Sequence, residues 1–292
     1  MHLNELTAIN GKACTEAKIF MRSIAPENVG VIDQGFHRAK NSYPYFGFVE
    51  VSIGGSEFVM FSANDDLVAM TFFWYGPDSY EPMSMQLWRE RAMTARTVLD
   101  VGSFSGVYSL SAAAANPDSH IYAVEAARRT YGRLLVNSQI NQLSNRLHCI
   151  NKAVAKERGF ETFMRFRGEN ILGIGDSFMP KDIEPQASEE RVETIALDEL
   201  CAEHNLEPDL IKIDVEGAEL LALDGMTNIL GARRAKILIE VTPKTAPEVV
   251  SRLKSAGYEL RRVDERGRSL VSCDDGKVPG VVNLLAEPME QA

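Results

Sequence analysis

The chain is poor in cysteine and tryptophan, has fewer bases than acids, and contains no long apolar run. Its cysteines are Cys14, Cys149, Cys201 and Cys273, and no two of them form a Cys-x-x-Cys pair. That spacing excludes zinc-ribbon and thioredoxin chemistry, and thiols set so far apart suit a reducing compartment. No stretch approaches the ~18 consecutive apolar residues of a membrane span. The start, Met1-His2-Leu3-Asn4-Glu5, has neither the basic nor the apolar region of a secretion signal. The expectation is a cytoplasmic protein with no membrane partner. Lys and Arg number 31 against 41 Asp and Glu, a formal net charge of −10. Binding to nucleic acid draws on basic residues that neutralise phosphates, so so acidic a balance argues against it. Two phosphate-binding signatures are missing as well. There is no Gly-x-Gly-x-x-Gly loop, and no glycine loop is followed by Lys-Ser/Thr.

What is present begins with a front piece, residues 1–95, whose texture differs from the rest. Residues 46–62 alternate apolar and polar about Gly54-Gly55, the pattern of a hairpin with a primed turn. The aromatic run Phe72-Phe73-Trp74-Tyr75 ends at Gly76-Pro77. A helix then opens at Glu81-Pro82, with Asp78 or Ser79 as its expected cap and Met85, Trp88 and Ala92 on one face. This segment reads as a β-rich N-terminal extension. From residue 96 to 292 strands and helices alternate. Strands are expected at 97–102, 120–125, 147–154, 210–215 and 235–241, and helices at 105–115, 128–141, 217–230 and 245–256. That order implies an α/β domain, a doubly wound and mostly parallel sheet covered on both faces. The closing strands, Tyr258 to Asp264 and Val281 to Glu287, have no crossover between them, so the last strand must be antiparallel. Phe160 to Phe166 reads as an extra strand. Gly168 to Glu190 reads as a long loop, either a substrate lid or a connector.

The most informative stretch is Val98-Leu99-Asp100-Val101-Gly102-Ser103-Phe104-Ser105-Gly106, in which a strand, a glycine turn and a small-residue helix follow one another. Without a pyrophosphate signature, the loop suits a ligand that carries no phosphate there. S-adenosylmethionine is such a ligand, and Asp100 can attract its ammonium. Val124-Glu125 ends the next strand, where an acid accepts hydrogen bonds from ribose hydroxyls. In Leu210-Ile211-Lys212-Ile213-Asp214-Val215-Glu216 strand alternation places Lys212, Asp214 and Glu216 on one face, toward the end where doubly wound folds bind ligands. Glu240 ends the apolar strand Ile237-Leu238-Ile239. Neighbouring carboxylates at strand ends either bind a divalent cation or share a proton.

Taken in order, these motifs resemble the FkbM family of S-adenosylmethionine-dependent methyltransferases. The resemblance rests on Asp-Val-Gly102 with Gly106, Val-Glu125, Asn137-Ser-Gln-Ile-Asn141, Lys152-Ala-Val154, Thr194 to Leu200, Ile211-Lys-Ile-Asp214-Val-Glu216-Gly-Ala-Glu219, Ile-Glu240 and Asn283-Leu-Leu. It spans about residues 78–287. It implies a class I, Rossmann-like methyltransferase fold and O-methylation of a sugar or natural-product hydroxyl. It also implies a cofactor site of Glu81, Asp100, Gly102, Ser103, Phe104, Gly106, Glu125, Ala126 and Asp214. Ser103-Phe104 stand where the family usually has Ala-Asn, and Ala126 where it usually has Pro.

For catalysis two arrangements fit. In one, Lys212 holds Asp214 ionised as the base, with Glu240 beside it. In the other, Asp214, Glu216 and Glu240 hold Mg²⁺, which lowers the acceptor's pKa. The metal-free arrangement is preferred, because no third dedicated oxygen ligand is evident. The expected partner is a small-molecule or glycan substrate. Two other readings stand beside this one: an NAD(P)-dependent oxidoreductase using the same adenosine-binding half, and a non-catalytic binding module that keeps the fold.

Overall fold

A computed structural model describes residues 3–24, 40–165, 172, 188–273 and 275–289. The front piece begins with helices Leu3–Lys12 and Lys18–Ile24, joined by a π-helical turn at Ala13–Ala17. The expected hairpin follows as β1 (Phe46–Ile53) and β2 (Ser56–Ala63). Its two-residue turn uses positive φ at Gly54 (54°) and Gly55 (88°), as a primed turn requires. Among the described residues, the remainder of the front piece is mostly helical rather than β-rich. The aromatic run lies in the buried helix Leu67–Tyr75, whose first turn is capped by Asp66 accepting from the Ala69 N–H at 3.0 Å.

The next helix is Pro82–Ala92, and Met85, Trp88 and Ala92 are buried in it as expected. Its cap is neither Asp78 nor Ser79. Glu81 occupies the N-cap position with φ 40° and gives no side-chain cap. Instead the Glu265 carboxylate, from a distant turn, accepts the N–H groups of Met83 at 2.7 Å and Ser84 at 3.1 Å.

The central sheet contains β3 (Thr97–Val101), β4 (His120–Val124), β5 (Leu147–Ile150), β9 (Leu210–Ile213), β10 (Lys236–Val241), β11 (Tyr258–Asp264), β12 (Ser269–Ser272) and β13 (Val282–Pro288). Their order is β12-β11-β13-β10-β9-β3-β4-β5. The pairings β10–β9, β9–β3, β3–β4 and β4–β5 are parallel. β13 inserts between β10 and β11 and runs antiparallel to both, so the reversed last strand is as expected. A smaller sheet joins β6 (Ala153–Val154), β8 (Ser188–Ile195) and β7 (Gly159–Arg165). Here β7 is the expected extra strand.

Some boundaries differ from the sequence reading, each for a local reason. The strand expected at 147–154 is two strands in two sheets. At the break the Asn151 amide turns aside to donate to the carbonyls of Glu125 and Ala126, both at 2.9 Å. The helix expected at 217–230 divides into Glu219–Asp224 and Thr227–Ala232. Gly225 stands between them, so close to the Ala155 carbonyl that a Cβ would lie 2.3 Å from its oxygen. The strand expected at 210–215 stops at Ile213. Most of the loop expected at 168–190 lies outside the described residues. Its end, 188–190, belongs to β8, and Leu172 is buried with its N–H donating to the Asp65 carbonyl at 2.8 Å.

The sheet separates two cores. Val98, Leu210, Leu238 and Leu285 face the front piece and helix Val107–Ala115. Leu99, Ile211, Ile237 and Leu284 face helices Leu197–His204, Thr227–Ala232 and Ala246–Ser255. The polar residues Asp100, Lys212, Glu240 and Asn283 share the first face by register and cluster toward the C-terminal end of the parallel strands.

Asn137 and Asn141 of helix Arg128–Ile140 dock the hairpin. Asn141 accepts from the Val59 N–H at 2.8 Å and donates to the Val59 carbonyl at 2.6 Å. Asn137 accepts from the Phe61 N–H at 2.8 Å and donates to the Ser105 carbonyl at 2.7 Å. On the other edge Asn10 makes the same paired contact with Phe46, at 3.0 and 2.7 Å.

Candidate active site

The glycine loop follows β3. Gly102 takes φ 76°, and a Cβ there would lie 1.7 Å from the Asp214 carbonyl oxygen. Its freedom therefore serves the packing of this loop against the end of β9, rather than a close approach of ligand to backbone. Gly106 takes φ 99° at the start of helix Val107–Ala115. Phe104 sits in the left-handed region at φ 52°, and its N–H donates to Glu125 Oε2 at 2.9 Å. The other Glu125 oxygen accepts the Ala127 N–H at 2.8 Å. Glu125 thus ties the glycine loop to the start of helix Arg128–Ile140, and it is 8% exposed. Ser103 is buried, and its hydroxyl has no hydrogen-bond partner among the described residues.

Asp100 is fully enclosed and accepts the Ser109 hydroxyl proton at 2.6 Å. Burial pushes its carboxyl up to about 6, against the opposing pull of Ser109 and Lys212.

Lys212 lies at the centre of the cluster and is 1% exposed. Its Nζ donates to Asp214 Oδ2 at 3.1 Å and to Asn283 Oδ1 at 3.2 Å, and it lies 5.0 Å from the Tyr108 ring centroid. Burial alone lowers an ammonium's pKa. Here Asp214, Glu81 and Glu240 outweigh burial and leave Lys212 above its ordinary value, so it is a charged lysine at neutral pH.

Glu81 Oε2 accepts the Tyr108 hydroxyl proton and an Asn283 amide proton at 3.2 Å. Burial raises the Glu81 carboxyl, Lys212 lowers it, and Asp214 raises it again. The parallel register pairs Ile213 with Ile239, so one residue further on Asp214 comes level with Glu240. The expected neighbouring carboxylates are therefore side by side. Burial first, then Asp214, raises the Glu240 carboxyl well above the usual carboxylate range, while Lys212 opposes them. Both burial and the neighbouring Asp214 thus favour the neutral form of Glu240.

The metal trio does not form. β9 ends before Asp214, and Glu216 stands in a turn at φ 50°, exposed, rather than on the strand face with Lys212. The Lys212 ammonium already faces the Asp214 carboxylate. Among the described residues no group of three or more His, Cys, Asp and Glu is placed to hold a metal ion.

The methyltransferase FkbM domain model matches residues 100–260, just over half of the chain. The chain belongs to the FkbM methyltransferase family. A search of curated proteins by sequence gives no match. Among solved structures, methyltransferase FkbM from Methylobacillus flagellatus is similar at 14% identity, covering 75% of this chain and 53% of its own, with a TM-score of 0.47. The chain thus spans about half the length of that protein. The SAM dependent methyltransferase from Agrobacterium tumefaciens is similar at 14% identity over 83% of this chain and 71% of its own, with a TM-score of 0.44. TYW2 from P. horikoshii, solved in complex with MeSAdo, is similar at 16% identity over 84% and 71%, with a TM-score of 0.42.

In this member of the FkbM methyltransferase family the residues at the strand ends fit an S-adenosylmethionine site. Glu125 follows the last residue of β4, Asp100 is on β3 two residues before Gly102, and the buried Ser103 hydroxyl lacks a partner among the described residues. Ala126 lies beside Glu125, its carbonyl held by Asn151. Of the residues singled out in the sequence, Glu81 lies among Tyr108, Asn283 and Lys212 rather than in the glycine loop. Sequence reasoning missed Tyr80, Tyr108, Ser109 and Asn283 as members of the cluster. Tyr80 is held as a neutral phenol by burial and by the nearby Glu81, Asp214 and Glu240. The available signals were small: Tyr80 precedes Glu81-Pro82, and Asn283 interrupts an apolar run. No helix among the described residues is long and apolar enough to cross a membrane.

Proposed function

We propose that the protein transfers the methyl group of S-adenosylmethionine to a hydroxyl oxygen of a small-molecule or glycan acceptor of the sugar or natural-product type. The observation that carries this reading is the contact between Gly102 and the Asp214 backbone carbonyl, which sets residue 214 directly beside the glycine loop. The Asp214 side chain is 23% exposed, while Lys212 behind it is sealed from solvent. A carboxyl group paired with the Lys212 ammonium therefore stands next to the loop with one open side.

Glu125 would hold the ribose hydroxyls, and Ser103 and Asp100 would face the rest of the cofactor. The cofactor, when bound, supplies an electrophilic methyl on a sulfonium. The chain's own residues align the acceptor and receive its proton. Asp214 accepts the hydroxyl proton as the oxygen takes up the methyl. Lys212 donates to Asp214 and holds it in place for that step. Glu240, whose neutral form burial and Asp214 favour, spares the site a further buried negative charge.

The test is incubation with labelled S-adenosylmethionine and pooled extracts or glycans, followed by mass spectrometry for a product heavier by one CH2. Asp214→Asn keeps the shape and removes the charge. It is expected to lower turnover by roughly 10²–10⁴ and to leave S-adenosylhomocysteine affinity nearly unchanged by calorimetry. Near-normal turnover in that variant sinks the role of Asp214. Cofactor binding with no transfer to any acceptor favours a binding module instead.

A further inference from the structure

β13 reaches the site only because it is threaded between β10 and β11, and it brings one polar side chain with it. Asn283 is 4% exposed within the otherwise apolar run of Val282, Leu284, Leu285 and Ala286. Both ends of its amide are used, and in opposite senses. Nδ2 donates to Glu81 Oε2 at 3.2 Å, and Oδ1 accepts from Lys212 Nζ at 3.2 Å. Tyr108 closes the circuit. Its hydroxyl donates to the same Glu81 oxygen, and its ring faces the Lys212 ammonium at 5.0 Å. A neutral amide can donate to a carboxylate through its NH2 and accept from an ammonium through its oxygen at once, without changing its protonation. A leucine here would do neither. An ionised aspartate would accept from Lys212 but set a new negative charge against Glu81.

We propose that Asn283 is a positioning residue for methyl transfer: it holds the Lys212 ammonium against Asp214 and keeps Glu81 turned to Tyr108, so that Asp214 is the carboxylate left open to the acceptor. This rests on the role given to Asp214 above. The groups facing this circuit are Tyr80 and Glu81 ahead of helix Pro82–Ala92, Asp100 on β3, Tyr108, Asp214 beyond β9, Glu240 on β10, and Glu265 in the turn after β11. The carboxylates on this list all act on Lys212 or Glu81 whichever residue stands at 283. A substitution there changes the geometry through which they act.

The experiment uses the full chain with Asn283→Leu and Asn283→Asp, each first checked for cooperative thermal unfolding. A carboxylic acid in its protonated form reproduces both contacts of the amide, and its ionised form loses the donation to Glu81. Asn283→Leu is expected to lower kcat about tenfold or more at every pH, the effect of losing one charge-assisted contact, with S-adenosylhomocysteine affinity within about twofold of wild type. Asn283→Asp is expected to approach wild-type kcat at low pH and to fall toward the leucine variant as the new carboxyl ionises. A residue that merely packs would not produce that added pH dependence.

A second readout needs no acceptor. The Lys212 ammonium protons, assigned by their loss in Lys212→Met, are followed by NMR. They should exchange with water about tenfold faster or more in Asn283→Leu, and remain close to wild type in Asn283→Asp. Wild-type kcat in the leucine variant, a pH profile of the aspartate variant that coincides with wild type, or unchanged Lys212 exchange in the leucine variant would each overturn the proposal. If the wild type transfers no methyl at all, the methyltransferase reading fails, and the NMR comparison still decides whether Asn283 positions Lys212.

Discussion

Replacing Asp100 by Asn removes a carboxylate that the fold buries at a cost. Asp100 is 1% exposed and titrates at about 6 instead of 3.8, chiefly because burial disfavours its charge. Its proton is bound more tightly in the folded chain than in the unfolded one. The stability this contributes is complete below the unfolded value and is lost as pH rises through the folded value near 6. Above that window the ionised group costs the fold about 3 kcal/mol relative to its neutral form. Asparagine keeps the shape and still accepts the Ser109 proton through its amide oxygen, so little else is lost. Urea unfolding across a pH series is the assay. Asp100→Asn should match wild type below about pH 4 and become more stable by about 2–3 kcal/mol above about pH 6.5, with the gap opening in between. Parallel curves across that window, or a gap that closes as pH rises, would refute the reasoning. Cofactor affinity should move the other way, because the residue that strains the fold is the one set beneath the glycine loop.

Glu125→Ala frees the N–H groups of Phe104 and Ala127 as well as any ribose hydroxyls; S-adenosylhomocysteine binding should weaken by ~1–3 kcal/mol by calorimetry, and an unchanged affinity in a folded variant removes Glu125 from the cofactor site. Gly102→Ala drives a Cβ into the Asp214 carbonyl, whereas Gly106→Ala meets only the movable Leu134 Cδ1, at 2.6 Å. Thermal melting should therefore show a far larger loss for Gly102→Ala, and equal losses would contradict the packing described for that glycine. Asn141→Ala strips both partners from the Val59 backbone and should cost about 1–3 kcal/mol in urea unfolding, while a neutral result would mean that water replaces the amide without penalty.

The parallel strands were legible because apolar runs bounded by glycine and acid leave few alternatives. Asp100, Glu125, Asp214 and Glu240 were legible because a charge at the end of a buried strand is expensive enough to need a reason. The splits were not. Asn151 and Gly225 break elements through contacts with the Glu125 and Ala155 carbonyls, distant in the chain, and no local pattern records such a contact. Glu216 was misplaced because alternation was extended past the last residue of β9. Tyr108 and Asn283 escaped because each looks local to its own helix or strand; the packing of helix Val107–Ala115 brings Tyr108 to Lys212, and the insertion of β13 beside β10 brings Asn283 there. The hairpin asparagines appeared within the family resemblance without a role, and their backbone contacts supply one.

A two-stranded hairpin has two bare edges, and here side chains cover part of each. Asn10 answers Phe46, the Tyr45 hydroxyl answers the Phe48 carbonyl, Asn141 answers Val59, and Asn137 with Arg133 answers Phe61. Side chains here do the work of absent strands, which denies other chains a template for edge-on association. Asn137 also grips the Ser105 carbonyl, so one amide spans the hairpin and the glycine loop. Trimming the front piece would thus loosen the glycine loop and would strip Trp88 from the edge-on contact that covers the Tyr108 ring. What looks like an accessory flap is the other half of the glycine loop's scaffold.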